Sequence, residues 1–224
     1  ALPILSELPH IQELDIDPLL ASPEGALAIS ARVTVSRPAA GVPPYHHMTI
    51  SPYPRHLIER GFLADGTPIT IRPIRPEDAE SEQAFIRGLS SEARHFRFMQ
   101  SISELTPEML VKYTQIDYRL ETALVAMTEE NGKEVQQGVA RYSVGPDGTS
   151  CEFAIVVSEA RRKQGIASRL MNSLISAARH QGLKTIEGEV LSDNQKMLRL
   201  MRDLNFTVER TPDDPGTVRV WRAP

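Results

Sequence analysis

Cysteine occurs once in these 224 residues, as Cys151, which excludes an internal disulfide framework and any cysteine-rich zinc site. No apolar run approaches the length of a membrane span. Positive charge is not in excess either: 25 Lys and Arg stand against 29 Asp and Glu, a formal net charge of −4. Such a balance argues against a surface whose main task is to neutralise a phosphate backbone, so any anionic ligand must be captured locally. Gly-x-Ser-x-Gly is absent, which removes the commonest serine-hydrolase reading, and so is the Gly-x-x-x-x-Gly-Lys-Ser/Thr phosphate loop. The pair His46-His47 has no i+4 partner and no acidic neighbour with which to hold a metal. There is no internal repeat. The chain opens at Ala1 without a secretory signal, and its lone cysteine fits a reducing, cytoplasmic setting. The expectation is a piece cut from a longer protein.

What is present falls into three stretches. Residues 1–35 read as a hairpin, with strand-like runs at Ile11 to Ala21 and Ala26 to Val35 around Ser22-Pro23-Glu24-Gly25. Thirty-odd residues bury too little surface to stand alone. Residues 36–54 are proline-rich without an apolar period and mark a linker. Residues 55–224 alternate strands and helices. A strand pair turns at Asp65-Gly66, a helix starts at Arg75-Pro76-Glu77-Asp78 and runs to about Leu89, and short helices follow through Thr114. Strands at Thr122 to Met127, Glu134 to Tyr142 and Cys151 to Val157 form an antiparallel meander. A helix from about Gly165 to His180 ends at Gly182, a strand spans Thr185 to Val190, and a helix capped by Ser192-Asp193-Asn194 carries the apolar stripe Met197, Met201 and Leu204. Two strands near Phe206 to Glu209 and Val218 to Trp221 close the chain. That order gives an α+β fold with a mixed, mostly antiparallel sheet flanked by helices.

The chemistry concentrates in Arg161-Arg162-Lys163-Gln164-Gly165-Ile166-Ala167-Ser168, between an apolar strand and an amphipathic helix. The first amides of a helix lack intrahelical partners and carry a partial positive charge, so this position can bind a pyrophosphate through the backbone. Gly165 and Ala167 keep the approach clear, Arg161, Arg162 and Lys163 add charge, and Ser168 offers a hydroxyl. An ordinary helix start with solvated arginines satisfies the same eight residues. Glu152 interrupts the apolar strand Cys151-Glu152-Phe153-Ala154-Ile155-Val156-Val157. Either it is a wet, salt-bridged glutamate at a strand start, or burial raises its pKa toward that of a general base. Cys151 has no histidine partner in sequence and reads as a small buried side chain.

The strand, the octapeptide and the helix at Asn194 together resemble the GNAT N-acetyltransferase superfamily over about Thr67 to Trp221. Its signature Gln/Arg-x-x-Gly-x-Gly/Ala is matched by Arg162, Gly165 and Ala167. The resemblance implies a GNAT fold with acetyl-CoA as cosubstrate and no metal. It implies that the amides of Lys163, Gln164, Gly165, Ile166, Ala167 and Ser168 hold the pyrophosphate, that the pantetheine pairs with Ile155 and Val157, and that Asn194 touches the cofactor.

Three further stretches are similar to bacterial Pat-type protein lysine acetyltransferases: Ile71-Arg72-Pro73-Ile74-Arg75-Pro76-Glu77-Asp78, Leu89-Ser90-Ser91-Glu92 and Phe96-Arg97-Phe98. In those proteins the domain follows a large acyl-CoA-synthetase-like region, whose ATP-grasp part closes on a stretch similar to Glu13-Leu14-Asp15-Ile16-Asp17-Pro18-Leu19-Leu20. Residues 1–35 are then a remnant, and its acids Glu13, Asp15 and Asp17 have no active role. The implied catalyst is Glu152 as general base, and the implied acceptor is a protein lysine, with an acyl-CoA synthetase as partner. A tyrosine acid is missing after Asn194, and Asn205-Phe206 stands where the family has Gly-Phe. Rival readings are an acyl-CoA-sensing module without catalysis, a small-amine acetyltransferase, and a scaffold that has kept only the fold.

Overall fold

The computed structural model describes residues 8, 10–23, 25–36, 51–100, 102–161, 163–210 and 214–224. His46 and His47, Arg162 and most of the proline-rich stretch lie outside them. Two compact units emerge, Ala1–Pro52 and Tyr53–Pro224. In the first, β1 (Ile11–Ile16) pairs with β4 (Ala31–Val35), and inside that pair β2 (Leu19–Ser22) pairs with β3 (Gly25–Ala28). The expected two runs are thus each broken in two, at Asp17-Pro18 and at Ile29-Ser30. Proline cannot donate to a ladder, which explains the first break.

The second unit is one eight-stranded sheet in the order β11-β12-β10-β9-β8-β7-β6-β5. Its strands are β5 (Glu59–Phe62), β6 (Pro68–Pro73), β7 (Glu121–Glu130), β8 (Lys133–Val144), β9 (Ser150–Val157), β10 (Thr185–Leu191), β11 (Thr207–Arg210) and β12 (Thr217–Arg222). All neighbours are antiparallel except β9 and β10. Five helices accompany it among the described residues: α1 (Ala79–Gly88), α2 (Ser91–Phe98), α3 (Pro107–Thr114), α4 (Ile166–His180) and α5 (Gln195–Asp203).

Each sheet face has its own core. On one, α4 buries Ile166, Leu170, Leu174, Ile175 and Ala178 against Cys151, Phe153 and Ile155 of β9. Every second residue of a strand shares a face, so Val156 belongs to the other core, with Phe85, Ile86 and Leu105. Helix ends follow their residues. Gly182 stops α4 at φ +81, and Asn205 takes φ +59, supplying the left-handed turn that glycine would otherwise make. On α5 the buried positions are Leu198 and Met201, whereas Met197, expected in the core stripe, is only partly buried.

No described helix is long and apolar enough to cross a membrane. Among the described residues no three His, Cys, Asp or Glu side chains gather as a metal site.

Candidate active site

Strand β9 has two neighbours of unequal reach. Against β8 it pairs from Cys151 through Val157. Against β10 it pairs only where Ser150–Glu152 meet Thr185–Glu187, although β9 runs on to Val157 and β10 to Leu191. Beyond Glu152 the sheet therefore opens into a notch. Gly188 marks its floor: a Cβ there would lie 2.9 Å from the Phe153 ring and 3.1 Å from the Phe153 carbonyl oxygen, so the strands approach this closely only because the side chain is absent.

The alternation of β9 decides which backbone groups face the notch. The Ser158 N–H donates to Gln137 O and the Gly145 N–H to Ser150 O, each at 2.8 Å, so even-numbered residues of β9 bond to β8. Odd-numbered residues point the other way, and the amides of Ile155 and Val157 face the space that β10 has left.

At the mouth of the notch stands the start of α4. Gly165 is its N-cap at φ +80, ψ 6, and no side chain caps the helix. The first intrahelical bond recorded there is Arg169 N–H to Gly165 O, 3.1 Å, so the preceding amides of Ile166, Ala167 and Ser168 have no intrahelical acceptor. A cavity of about 470 Å³ joins these parts. It is lined by Ile155, Val156 and Val157 of β9, by Lys163, Gly165, Ile166, Ala167 and Ser168, by Asn194 and Met197, and on its far wall by Ala93, Phe96 and Arg97 of α2. Asn194 is engaged on one side: its Oδ1 accepts from Met197 N–H at 3.1 Å, capping α5 and leaving its amide nitrogen for the cavity.

The basic run behaves differently from its letters. Arg161 donates to Glu130 at 2.9 Å and to Asp65 at 3.4 Å, so its charge is already matched and serves to tie the turn in place. The side-chain Oε1 of Gln164 accepts from Asp65 N–H at 3.2 Å, and Gln164 is not part of the lining. Lys163 borders the cavity in a left-handed conformation, while Arg162 lies outside the described residues.

Glu152 departs from the buried carboxylate expected of its apolar strand. It is exposed, because it points to the sheet face opposite Cys151 and Phe153, where no helix covers the beginning of β9. The burial expected of it is therefore absent. Its place is nonetheless specific. It is the last β9 residue paired with β10, directly opposite Glu187, with Ser143 of β8 beside it and Glu121 of β7 beyond. Of these neighbours Glu187 is paired with Arg219 of β12, whose Nε donates to it at 2.9 Å, and Glu121, two strands from the notch, accepts from Ser143 at 3.4 Å. Cys151 faces the core, 1% exposed, and burial pushes its thiol up to about 12, which leaves it no thiolate with which to react near neutral pH.

The likeness at Phe96-Arg97-Phe98 carries no indication that α2 walls the cavity, because Ala93, Phe96 and Arg97 come from a segment more than fifty residues ahead of β9. Met197, a core position by its helical period, packs on the core and also borders the cavity.

These features have known counterparts. The acetyltransferase (GNAT) family matches residues 90–206, just over half of the chain. Acetyltransferase PA5475 of Pseudomonas aeruginosa is 36% identical over 70% of this chain and 84% of its own length. The chain belongs to the GNAT acetyltransferase family. As a member it is an acetyltransferase, and acetyl-CoA is its cosubstrate. The GNAT domain of S. lividans PAT superposes with a TM-score of 0.70 at 28% identity, covering 77% of this chain and 100% of that one. Acetyltransferase Pat of Mycolicibacterium smegmatis is 31% identical over 66% of this chain, which spans only 43% of that protein.

The cavity fits an acyl-CoA in kind. It offers uncapped helix amides for the pyrophosphate and a free strand edge for the amide groups of the pantetheine arm. Gly165→Val tests the first of these. No atom lies within 4 Å of a Cβ at this position, so the penalty is the left-handed backbone, about 1–2 kcal/mol for a side chain and more for a β-branched one. Acetyl-CoA affinity, read by calorimetric titration, is expected to fall about tenfold or more, since 1.4 kcal/mol is a factor of ten. An unchanged affinity would mean that the α4 amides do not carry the diphosphate.

Proposed function

We propose that this GNAT enzyme transfers an acetyl group from acetyl-CoA to the side-chain amine of a protein lysine, with Glu152 as general base and an acyl-CoA synthetase as acceptor. The observation that carries the reading is the exposure of Glu152 at the apex of the notch. A carboxylate open to solvent suits an amine delivered on another protein's surface; a small amine would call for an enclosed pocket. Similarity to two proteins named Pat supports the same acceptor class.

The roles follow from position. The uncapped amides of α4 bind the diphosphate. The amides of Ile155 and Val157 orient the arm that leads to the thioester, and the Ile155 amide is placed to receive the charge that develops on the thioester oxygen. A lysine amine with a pKa near 10.4 is neutral in about one molecule in 2,500 at pH 7, a deficit of roughly 4.6 kcal/mol. Glu152 takes its proton, directly or through a water, as the nitrogen bonds to the acyl carbon and the carbon–sulfur bond breaks. The thiolate leaves into the cavity, whose lining among the described residues includes no tyrosine, histidine or cysteine to protonate it. The same reading makes residues 1–35 the end of a longer, cytoplasmic polypeptide in which this domain follows a synthetase-like region.

The test offers labelled acetyl-CoA together with a purified acetyl-CoA synthetase and a set of amino acids and polyamines. Label on one mapped lysine of the synthetase is the expected outcome. Label confined to the small amines would replace the acceptor class, and acetyl-CoA binding without transfer to either would favour a sensing module.

A further inference from the structure

The far wall of the cavity holds a cation that the proposed chemistry does not use. Arg97 of α2 borders the cavity together with Val156. Among the described residues its guanidinium has no hydrogen bond and no ion pair. It rests on aromatic faces instead, 4.9 Å from the Phe98 ring centroid and 6.0 Å from that of Tyr113. Arg141 lies over the Tyr113 ring as well, 4.3 Å from its centroid, and donates to the Tyr113 carbonyl at 2.9 Å. One buried carboxylate faces the two guanidiniums. Glu82 is 2% exposed, accepts a hydrogen bond from Gln136 and acts electrostatically on both arginines without touching either.

Within this group of three, Glu82 balances at most one of the two guanidiniums even when ionised; the carboxylates Glu92 and Glu159 border the cavity elsewhere, without an ion pair to Arg97. Burial pushes Glu82 upward and Arg97 downward, to about 10, so both groups are held against their solvation preference. Arg97 is half-buried, and a guanidinium partly withdrawn from water at a binding surface, with no anion in contact, gains from an anionic ligand. Position says which part of a ligand it meets. Val156 and Arg141 sit on the same sheet face, Arg141 paired with Ala154 in register, so Arg97 stands level with the middle of β9. That is beyond the helix start that takes the diphosphate and close to the reacting end of an acyl-CoA.

We propose that Arg97 is a specificity residue that binds a carboxylate at the distal end of the acyl chain, so that the cavity accepts dicarboxylic acyl-CoA donors as well as acetyl-CoA. The proposal rests on the cavity taking acyl-CoA. A guanidinium offers a planar pair of N–H donors to such a carboxylate, and the Phe98 and Tyr113 rings lie beside it.

The test is titration of the full chain with succinyl-CoA, butyryl-CoA and free CoA, for the wild type, Arg97→Met and Arg97→Lys. The wild type is expected to bind succinyl-CoA about tenfold or more tightly than butyryl-CoA. In Arg97→Met that preference disappears while free CoA binds as before, and in Arg97→Lys part of it returns. Equal binding of the two acyl donors by the wild type overturns the proposal and leaves the cofactor site standing. A parallel loss for all three ligands in Arg97→Met also overturns it, since Arg97 would then support the fold or the CoA arm. Failure of free CoA to bind the wild type sinks both readings. Should Arg97→Met unfold, Arg97→Lys and the wild-type ratio decide alone.

Discussion

Asp78→Ala is expected to cost about 3–5 kcal/mol of stability, the range found when one partner of a buried ion pair is removed. The pair is bidentate: Arg72 donates through both terminal nitrogens to the two oxygens of Asp78, each at 2.7 Å, with side chains 5% and 9% exposed. Asp78 also accepts from Arg75 N–H at 2.7 Å, which closes the turn that leads into α1. Without the carboxylate, Arg72 keeps the Pro73 carbonyl at 3.3 Å and, as its one remaining anion among the described residues, Glu134, whose side chain is 60% exposed and 3.1 Å away. An exposed partner of that kind is worth little. For a unit of this size the loss corresponds to a fall in Tm of roughly 6–20 °C. The double variant Arg72→Met, Asp78→Leu should recover most of it, because an apolar pair of similar volume leaves no charge stranded. A single variant within about 1 kcal/mol of wild type would show that the pair is not what anchors β6 to α1.

The Arg72–Asp78 pair also explains why one stretch of sequence was so legible. Arg72-Pro73-Ile74-Arg75-Pro76-Glu77-Asp78 combines a strand end, a proline helix start and an ion pair six residues apart, all local in the chain. The meander, the helix that stops at Gly182 and the left-handed Asn205 were equally readable, because each depends on turn chemistry or on a period within one element. Gly165 could be placed at a helix start for the same reason. What could not be read is what needs the third dimension. The exposure of Glu152 depends on which face of β9 it occupies and on how little covers that face. Arg161 looked like a phosphate ligand until Asp65 and Glu130, from distant turns, were seen to occupy it. Arg97 belongs to the run Phe96-Arg97-Phe98, legible as a family likeness, but its place on the cavity wall is set by the packing of α2 on β9. Met197 has the letter of a core residue, but its position on α5 turns it to the cavity.

Glu152→Gln is expected to lower the turnover number for acetyl transfer by about 10²- to 10⁴-fold, the usual contribution of a positioned general base. Glutamine keeps the shape and a hydrogen-bond acceptor but cannot accept the proton of an ammonium group at neutral pH. Affinity for acetyl-CoA should not change, because Glu152 is not part of the cavity lining. The lost rate should return in part as pH rises toward the lysine pKa near 10.4, where the acceptor supplies its own free base. A residue that served only to hold the sheet together would lower binding and stability along with rate. The decisive measurement is therefore single-turnover transfer of labelled acetyl from saturating acetyl-CoA to a purified acyl-CoA synthetase at pH 7.5, with wild type and Glu152→Gln compared and acetyl-CoA affinity titrated on the same samples. A rate reduced a hundredfold or more at unchanged affinity is the predicted result; equal rates in the two proteins would contradict a base at the apex of the notch.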